Sequence, residues 1–156
     1  MTTSNSAAAL TIEQQICYAM HTTVRAFDAV YRDLLGGHGL SYPQYIALMA
    51  VGEHGPLTVG ALGELMRLDS GTLSPLLKRL ETGGMVTRER DPRDVRALAV
   101  SLTAKGRRTR AKAERIPPAI VARLGMSLRE LEELRDGLTR VIDASRDERV
   151  SPEPGG

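Results

Sequence analysis

Cys17 carries the most reactive side chain of this sequence. A thiolate can attack the terminal oxygen of a peroxide and become a sulfenic acid, whereas a lone cysteine is more commonly a small buried hydrophobic residue. Because the 156 residues contain one cysteine, no disulfide can form within the chain. The residue type alone leaves three roles open for Cys17: a buried side chain, a reactive thiol or a link between chains.

His21 follows Cys17 by four residues, one helical turn. A Cys-His pair at this spacing is half of a metal site, but no clustered partners supply further ligands, so we favour a structural or hydrogen-bonding role for His21. No Ser-His-Asp set, phosphate-binding glycine loop or paired acidic motif is present. We predict no metal, no cofactor and no enzymatic activity.

Cationic side chains are concentrated in the middle of the chain. Residues 67–115 contain 13 Lys and Arg against 6 Asp and Glu, whereas residues 127–156 contain 5 against 8. This unevenness is typical of a protein with separate DNA-contacting and self-associating parts, although a solvated basic surface would look the same.

Apolar residues at helical spacing predict the helices that position these side chains. The predicted starts are Thr11, Pro43, Thr58, Asp69, Thr103 and Ser127. The first helix is predicted to run unbroken to Leu35, which places Cys17 in its second turn. The last helix is predicted to turn a leucine-rich stripe inward. Pro75 disturbs the fourth helix and leaves open a later start at Ser74.

The segments MVTRER and RALAVSLT alternate like strands and flank the turn Asp91-Pro92-Arg93-Asp94. The fold class is therefore mostly α with a small β-hairpin wing. The element order is that of a winged helix-turn-helix whose N- and C-terminal helices form a dimerisation domain.

The fourth helix presents a polar face opposite its leucines. Ser70, Ser74 and Lys78 lie at spacing four, with Thr72 and Arg79 on the flanks. Such a face can enter a major groove, although in isolation an ordinary solvated helix face is the commoner explanation.

The hairpin tip carries Arg93 and Arg96, and a projecting guanidinium can enter a narrow minor groove. Asp94, two residues before Arg96, is predicted to hold that guanidinium by a charge-assisted contact. The alternative is a basic loop balanced by its own carboxylates. Helix and hairpin together favour DNA binding.

The run DSGTLSPLLKRLETGGMVTRERDPRDVRALAVSLTAKG resembles the recognition helix and wing of MarR-family repressors, and LSYPQYIALMAV resembles the preceding helix. The resemblance covers roughly residues 12–115. Within that family, ICYAMHTTVRAFDAVYRDLLGGHGLSYPQY is similar to the organic-hydroperoxide sensors called OhrR. The resemblance implies DNA contacts from the following residues: Ser70, Thr72, Ser74, Lys78, Arg93 and Arg96, with Asp94 orienting Arg96.

The same resemblance implies that Cys17 is a sensing cysteine, hydrogen-bonded by Tyr31 and Tyr42, and that His21 stands where some members carry tyrosine. Tyr31 follows Cys17 by 14 residues, so on one helix they are roughly 21 Å apart. A contact between them therefore requires a second subunit.

The resulting prediction is a redox-sensing repressor. It binds double-stranded, pseudo-palindromic operator DNA as a homodimer when reduced, and is released when an organic hydroperoxide oxidises Cys17 to a sulfenic acid. A small cellular thiol would then cap the sulfenate, or it would cyclise or overoxidise. Two alternatives remain: a MarR-type repressor released by a small phenolic or aromatic ligand in the dimer cleft and, less favoured, a thiol peroxidase.

For domain organisation we expect disordered tails at residues 1–9 and 147–156 around one chain, 10–146. Within it, 10–40 and 104–146 form the dimerisation helices and 41–103 the winged-helix region. The sequence has no signal-peptide pattern and no apolar run of membrane-spanning length, which predicts a cytoplasmic protein with no membrane partner.

Overall fold

A computed structural model describes residues 11–145, which are mostly helical with a small antiparallel sheet, and this confirms the predicted fold class. The chain divides into two compact units, one ending at Glu114 and the other beginning at Arg115. The predicted tails, 1–9 and 147–156, lie outside the described residues. In the described part, no helix is both long and apolar enough to cross a membrane.

The first unit contains most of the elements. After a short 3-10 helix, Ile12–Gln14, come α1 (Ile16–Gly36), α2 (Tyr42–His54), β1 (Leu57–Thr58), α3 (Val59–Met66), α4 (Ser70–Thr82), β2 (Val86–Asp91), β3 (Asp94–Leu102) and α5 (Ala104–Ala113). The second unit contains α6 (Ile116–Leu124) and α7 (Leu128–Ala144). Pro117 and Pro118 lie in the first turn of α6, where proline is tolerated because its missing N–H has no intrahelical partner.

The start of α1 differs from the prediction. The amide oxygen of Gln14 accepts the Thr11 backbone N–H at 3.0 Å, but this pair closes only a 3-10 turn. Gln15 is then extended, with ψ of 122°, so α1 begins at Ile16 and continues unbroken to Gly36. Cys17 therefore lies in the first turn of α1, and its predicted place in a second turn was wrong.

The core of the first unit is built around α2, which contacts α1, α3, α4, α5 and β3. Its side chains, such as Leu48 and Val51, are almost completely buried, and so are Leu62 of α3 and Val100 of β3. Burying each such side chain contributes about 1.5–3 kcal/mol to folding. The helices α3 and α4 and the hairpin strand β3 are therefore assembled on one aliphatic core.

The α4 helix begins at Ser70, because the Asp69 carboxylate accepts the Thr72 backbone N–H at 2.9 Å and caps it. A later start at Ser74 was wrong. Pro75 is accommodated inside the helix, and the residue whose carbonyl it leaves without a donor, Gly71, is exposed to solvent. The predicted apolar stripe is buried: Leu73, Leu76, Leu77 and Leu80.

The sheet has the order β1-β3-β2, with both pairings antiparallel. As predicted, β2 and β3 form a hairpin, in which Val86 pairs with Leu102 and Asp91 with Asp94. The strand β1 was not predicted, because its two residues are too few to show alternation. Leu57 of β1 pairs with Val100, which attaches the base of the hairpin to the segment before α3.

Two terminal helices leave apolar side chains uncovered. In α1 one residue, Leu35, is buried, and in α7 none is. The α7 stripe predicted to face inward is exposed by 38–69% at these positions: Leu128, Leu134, Leu138, Val141 and Ile142. An apolar surface of this kind marks an interaction site, so the inward orientation is not achieved within one chain.

Candidate DNA-binding surface and thiol site

The outer face of α4 is polar and open. All five side chains that were predicted to contact DNA from this helix are exposed: Ser70, Thr72, Ser74, Lys78 and Arg79. The Thr72 hydroxyl donates to the Asp69 carboxylate at 2.9 Å, so it also takes part in the N-terminal cap. The arrangement gives α4 one buried apolar face and one hydroxyl- and cation-bearing face.

The wing tip is organised by a buried carboxylate that sequence reasoning missed. Asp91 is 3% exposed and accepts three hydrogen bonds from Arg93, from the backbone N–H at 2.8 Å and from Nε and Nη2 at 3.2 Å. These bonds lower the pKa of Asp91 and raise that of Arg93. The Asp-x-Arg spacing, typical of an Asx turn, was the available signal. Arg93 itself remains 78% exposed.

The predicted contact between Asp94 and the Arg96 guanidinium is replaced by a different one. The Asp94 carboxylate accepts the backbone N–H of Arg96 at 3.0 Å, so it bends the chain at the start of β3. Arg96 is exposed beside it. Arg90, in contrast, donates from Nη1 to the Val95 carbonyl at 2.7 Å and thus braces the two strands.

Side-chain contacts also join α4 to the wing. Arg88 of β2 donates to one Glu81 oxygen from Nε at 3.2 Å and from Nη2 at 2.7 Å, and this pair lowers the pKa of Glu81. At the end of α4, Lys105 donates to the Gly83 carbonyl at 2.8 Å, and the Thr103 hydroxyl donates to the Gly84 carbonyl at 2.6 Å. Helix and hairpin are therefore held in a defined relative position, as reading two grooves at once would require.

Cys17 is exposed on the second residue of α1. The first turn of a helix has backbone N–H groups without intrahelical partners and favours nearby negative charge. The preceding residue, Ile16, has an exposed apolar side chain, and so does Ile12, five residues before Cys17. His21 on the next turn is exposed as well. No group of three or more metal-ligating side chains occurs among residues 11–145.

Three tyrosines meet where α1 ends and α2 begins. The rings of Tyr31 and Tyr42 are 4.4 Å apart, and Tyr45 lies 6.1 Å from Tyr31 and 6.2 Å from Tyr42. Burial, reinforced by the neighbouring phenols, raises the pKa of Tyr31 to about 12, so its hydroxyl stays protonated and can donate. Tyr45, which is buried, was missed by sequence reasoning, although its spacing of three from Tyr42 on a helix was a signal.

The predicted partners Tyr31 and Tyr42 are thus brought together, but Cys17 is not with them. Tyr31 follows Cys17 by 14 residues on one unbroken helix, which puts the two roughly 21 Å apart. A cleft of about 320 Å³ lies beside the tyrosines, with Asp28 and Arg32 among its lining residues. One chain therefore supplies a thiol at one end of α1 and a phenol cluster at the other.

Comparison with known proteins shows the family of the chain. Residues 38–97 match the family model described as MarR family. Over 132 residues the chain is 42% identical to the HTH-type transcriptional regulator TtmR of Methylorubrum extorquens, covering 85% of this chain and 68% of TtmR. It is 38% identical to the organic hydroperoxide resistance transcriptional regulator of Bacillus subtilis, covering 85% of this chain and 90% of that protein.

Among solved structures, reduced AbfR of Staphylococcus epidermidis bound to DNA is similar, with 31% identity, a TM-score of 0.69 and coverage of 85% of this chain and 93% of AbfR. These findings confirm the predicted resemblance to MarR-family regulators, including an organic-hydroperoxide regulator. The 38% identity extends over 90% of the Bacillus protein, and together with the family match it identifies the family of the chain. It is a transcriptional regulator rather than an enzyme, and it belongs to the MarR family.

Proposed function

We propose that this regulator is a cytoplasmic, redox-sensing repressor. It binds pseudo-palindromic operator DNA as a homodimer when reduced, and it leaves the DNA when an organic hydroperoxide oxidises Cys17. The observation that carries the proposal is the separation along α1 of an exposed thiol from a protonated phenol cluster. Because one chain cannot join them, the complete site needs a second copy with its α1 antiparallel to the first.

The relatives support the choice of signal. The Bacillus protein at 38% identity is named for organic hydroperoxide resistance. Exposed apolar side chains on α1, Ile16 and Val24, would favour an alkyl peroxide over hydrogen peroxide at a site covered by the partner.

The chemical step transfers two electrons from the sulfur. The thiolate attacks the terminal oxygen of the hydroperoxide, the S–O bond forms as the O–O bond breaks, and the alkoxide leaves and takes up a proton to become an alcohol. A small cellular thiol then condenses with the sulfenic acid to give a mixed disulfide and water. The phenol hydroxyls of Tyr31 and Tyr42 from the partner would stabilise the thiolate before attack.

The route from oxidation to DNA passes through α2. Tyr31 lies on α1, whereas Tyr42 and Tyr45 lie on α2, which contacts α3, α4 and α5 in the core. A bulkier, uncharged sulfur adduct would lose the phenol hydrogen bonds and displace the cluster. Since α2 is packed directly against α4, that displacement would change the spacing of the two recognition helices.

DNA binding itself would use two parts of each subunit. The hydroxyl and cationic side chains of α4 would enter the major groove. Arg93, held outward by Asp91, and the exposed Arg96 would reach the adjacent minor groove or the phosphates. The fixed position of the wing relative to α4 supports this division.

The deciding experiment measures binding of the reduced protein to its own upstream DNA by fluorescence anisotropy, before and after addition of cumene hydroperoxide. We expect release of the wild type, no release of Cys17→Ser, and slowed release of Tyr31→Phe because the thiolate loses a donor. Tyr18→Phe, which changes an exposed tyrosine beside Cys17, is the matched control and should behave like wild type. Equal release of wild type and Cys17→Ser would refute the thiol mechanism.

A second candidate is favoured by the cleft beside Tyr31 and Tyr42, which is large enough for a small phenolic or aromatic ligand. In that case Cys17 would be incidental. Release of the Cys17→Ser protein from DNA by such a ligand, with no response of the wild type to peroxide, would favour this candidate.

A further inference from the structure

We propose that a second cleft, between α2, β3 and α5, binds a small aliphatic carboxylate and thereby adjusts the position of the wing. The cleft is open to solvent and has a volume of about 340 Å³. It is lined by the end of α2 and the segment after it (Val51, Gly52, Gly55, Pro56), the end of β3 (Ser101, Leu102) and two arginines of α5 (Arg107, Arg110). It shares no residue with the tyrosine cleft.

Arg110 is the centre of this site. Its side chain crosses α2 at Gly52, where an added methyl group would overlap its Cδ and Nε atoms. Nη1 is 3.3 Å from a Glu114 oxygen. Nε, however, is buried and has no hydrogen-bond partner within the described residues. Leaving a buried N–H donor without a partner costs free energy, so an acceptor that reached Nε would be stabilising.

Two other arginines of the same chain show which acceptor suits the side of a guanidinium that carries Nε and Nη2. Arg88 uses Nε and Nη2 to hold the Glu81 carboxylate, and Arg93 uses the same two nitrogens to hold the Asp91 carboxylate. A small rotation of the Arg110 guanidinium toward the cleft would present Nε in the same way. A planar carboxylate fits this two-donor edge.

The remaining lining residues indicate the chemistry of the part of the ligand that does not contact Arg110. Arg107 adds a second cation while its Nη1 donates to the Leu102 carbonyl at 2.9 Å, and no acidic residue is among the eight that line the cleft. The apolar walls are Val51, Pro56 and Leu102, with no aromatic ring on which a planar ligand could stack. The chemistry therefore fits a short alkyl chain ending in a carboxylate.

Occupancy would affect the wing because Ser101 and Leu102 are the last residues of β3. The strand β3 pairs with β2, and β2 is held to α4 by Arg88 and Glu81. A ligand that joins the end of β3 to α2 and α5 would thus restrain the hairpin at its base. Ligand binding at this cleft does not involve Cys17 and is independent of the proposed redox mechanism.

The test is titration of full-length Cys17→Ser protein with hexanoate, followed by heteronuclear NMR, with hexan-1-ol and inorganic phosphate at equal ionic strength as comparison probes. We expect saturable shifts at the cleft with hexanoate alone. Arg110→Gln should weaken binding at least about ten-fold, as expected for loss of a charged hydrogen-bond donor. Arg108→Gln changes an exposed arginine of the same helix and should leave binding unchanged.

Gly52→Ala provides an independent variant, because the three atoms nearest to the added methyl group all belong to the Arg110 side chain. It should also abolish hexanoate binding, while circular dichroism confirms that each variant is folded. The proposal is overturned if hexanoate gives no saturable binding, if phosphate or hexan-1-ol binds equally well, or if both Arg110→Gln and Gly52→Ala bind as tightly as the parent protein.

Discussion

At the residue scale, the wing shows how one buried carboxylate directs a neighbouring cation. Asp91 is buried in the hairpin turn, yet its oxygens are satisfied by the backbone and guanidinium of Arg93. Because the side chain of Arg93 is tethered at its Nε and Nη2 atoms, the proposed contact with DNA would cost it less conformational entropy. Asp94 acts on the backbone of Arg96 and leaves that guanidinium unrestrained.

The tyrosine cluster gives a prediction at the same scale. Burial raises the pKa of Tyr31 from 10.0 to about 12, so the folded state favours the protonated phenol. The stability gained because the folded state favours protonated Tyr31 is complete below about pH 10 and is lost as the pH rises toward 12. We expect Tyr31→Phe to lose less stability than wild type between pH 9 and pH 11, measured by urea unfolding. Tyr18→Phe serves as the control; an identical loss in wild type and Tyr31→Phe would contradict the prediction.

At the scale of elements, the start of α5 is seated directly on the turn between α4 and β2. A Cβ atom at Gly106 would overlap the carbonyl group of Met85, which is backbone and is further held by the Thr103 N–H at 3.0 Å. The Thr103 hydroxyl in turn accepts the Gly106 N–H at 2.9 Å and caps the helix. This close approach sets where α5 leaves the winged-helix core.

Gly106→Ala therefore tests the packing of α5. Although alanine is the better helix former, we expect a loss of about 1–3 kcal/mol in the free energy of unfolding, because rigid backbone must move. Gly60→Ala, in α3, is the matched control, since nothing lies within 4 Å of its added methyl group. It should be neutral or slightly stabilising in thermal unfolding. Equal effects of the two substitutions would show that the contact with Met85 is unimportant.

At the scale of the whole molecule, one chain leaves two apolar surfaces uncovered. The exposed stripe on α7 and the sparsely buried α1 are apolar surfaces of the kind that a second copy would cover. The proposed sensing site requires the same partner. Dimerisation would thus create both the thiol environment and the pair of recognition helices.

If a second copy covers the α7 stripe, a charged substitution in it should prevent dimerisation. We expect Leu138→Lys to be monomeric at micromolar concentration in sedimentation velocity, because burying an unpaired ammonium at the interface is unfavourable. Its operator affinity should fall at least about a hundred-fold, since two linked half-site contacts become one. Asp136→Lys, on the opposite face of α7, should stay dimeric. A dimeric Leu138→Lys protein would contradict the role of this stripe.

The sequence by itself determined the features that depend on near neighbours along the chain. The Asp69 cap, the leucine stripe of α4, the two-residue hairpin turn and the unbroken course of α1 through Tyr31 could all be predicted. Their signals are side chains three or four residues apart, alternation within a strand, and turn residues, which act locally. The resemblance to the MarR family rests on roughly residues 12–115, which contain these features.

Only the tertiary structure decided how distant or ambiguous residues combine. It placed Cys17 in the first turn of α1, buried Asp91 under Arg93, added Tyr45 to the phenol cluster and laid Arg110 over Gly52. Each of these four features depends on which of several polar groups binds a given partner, or on packing between elements that are distant in sequence. Those choices follow from packing and burial, which no local pattern of residue types encodes.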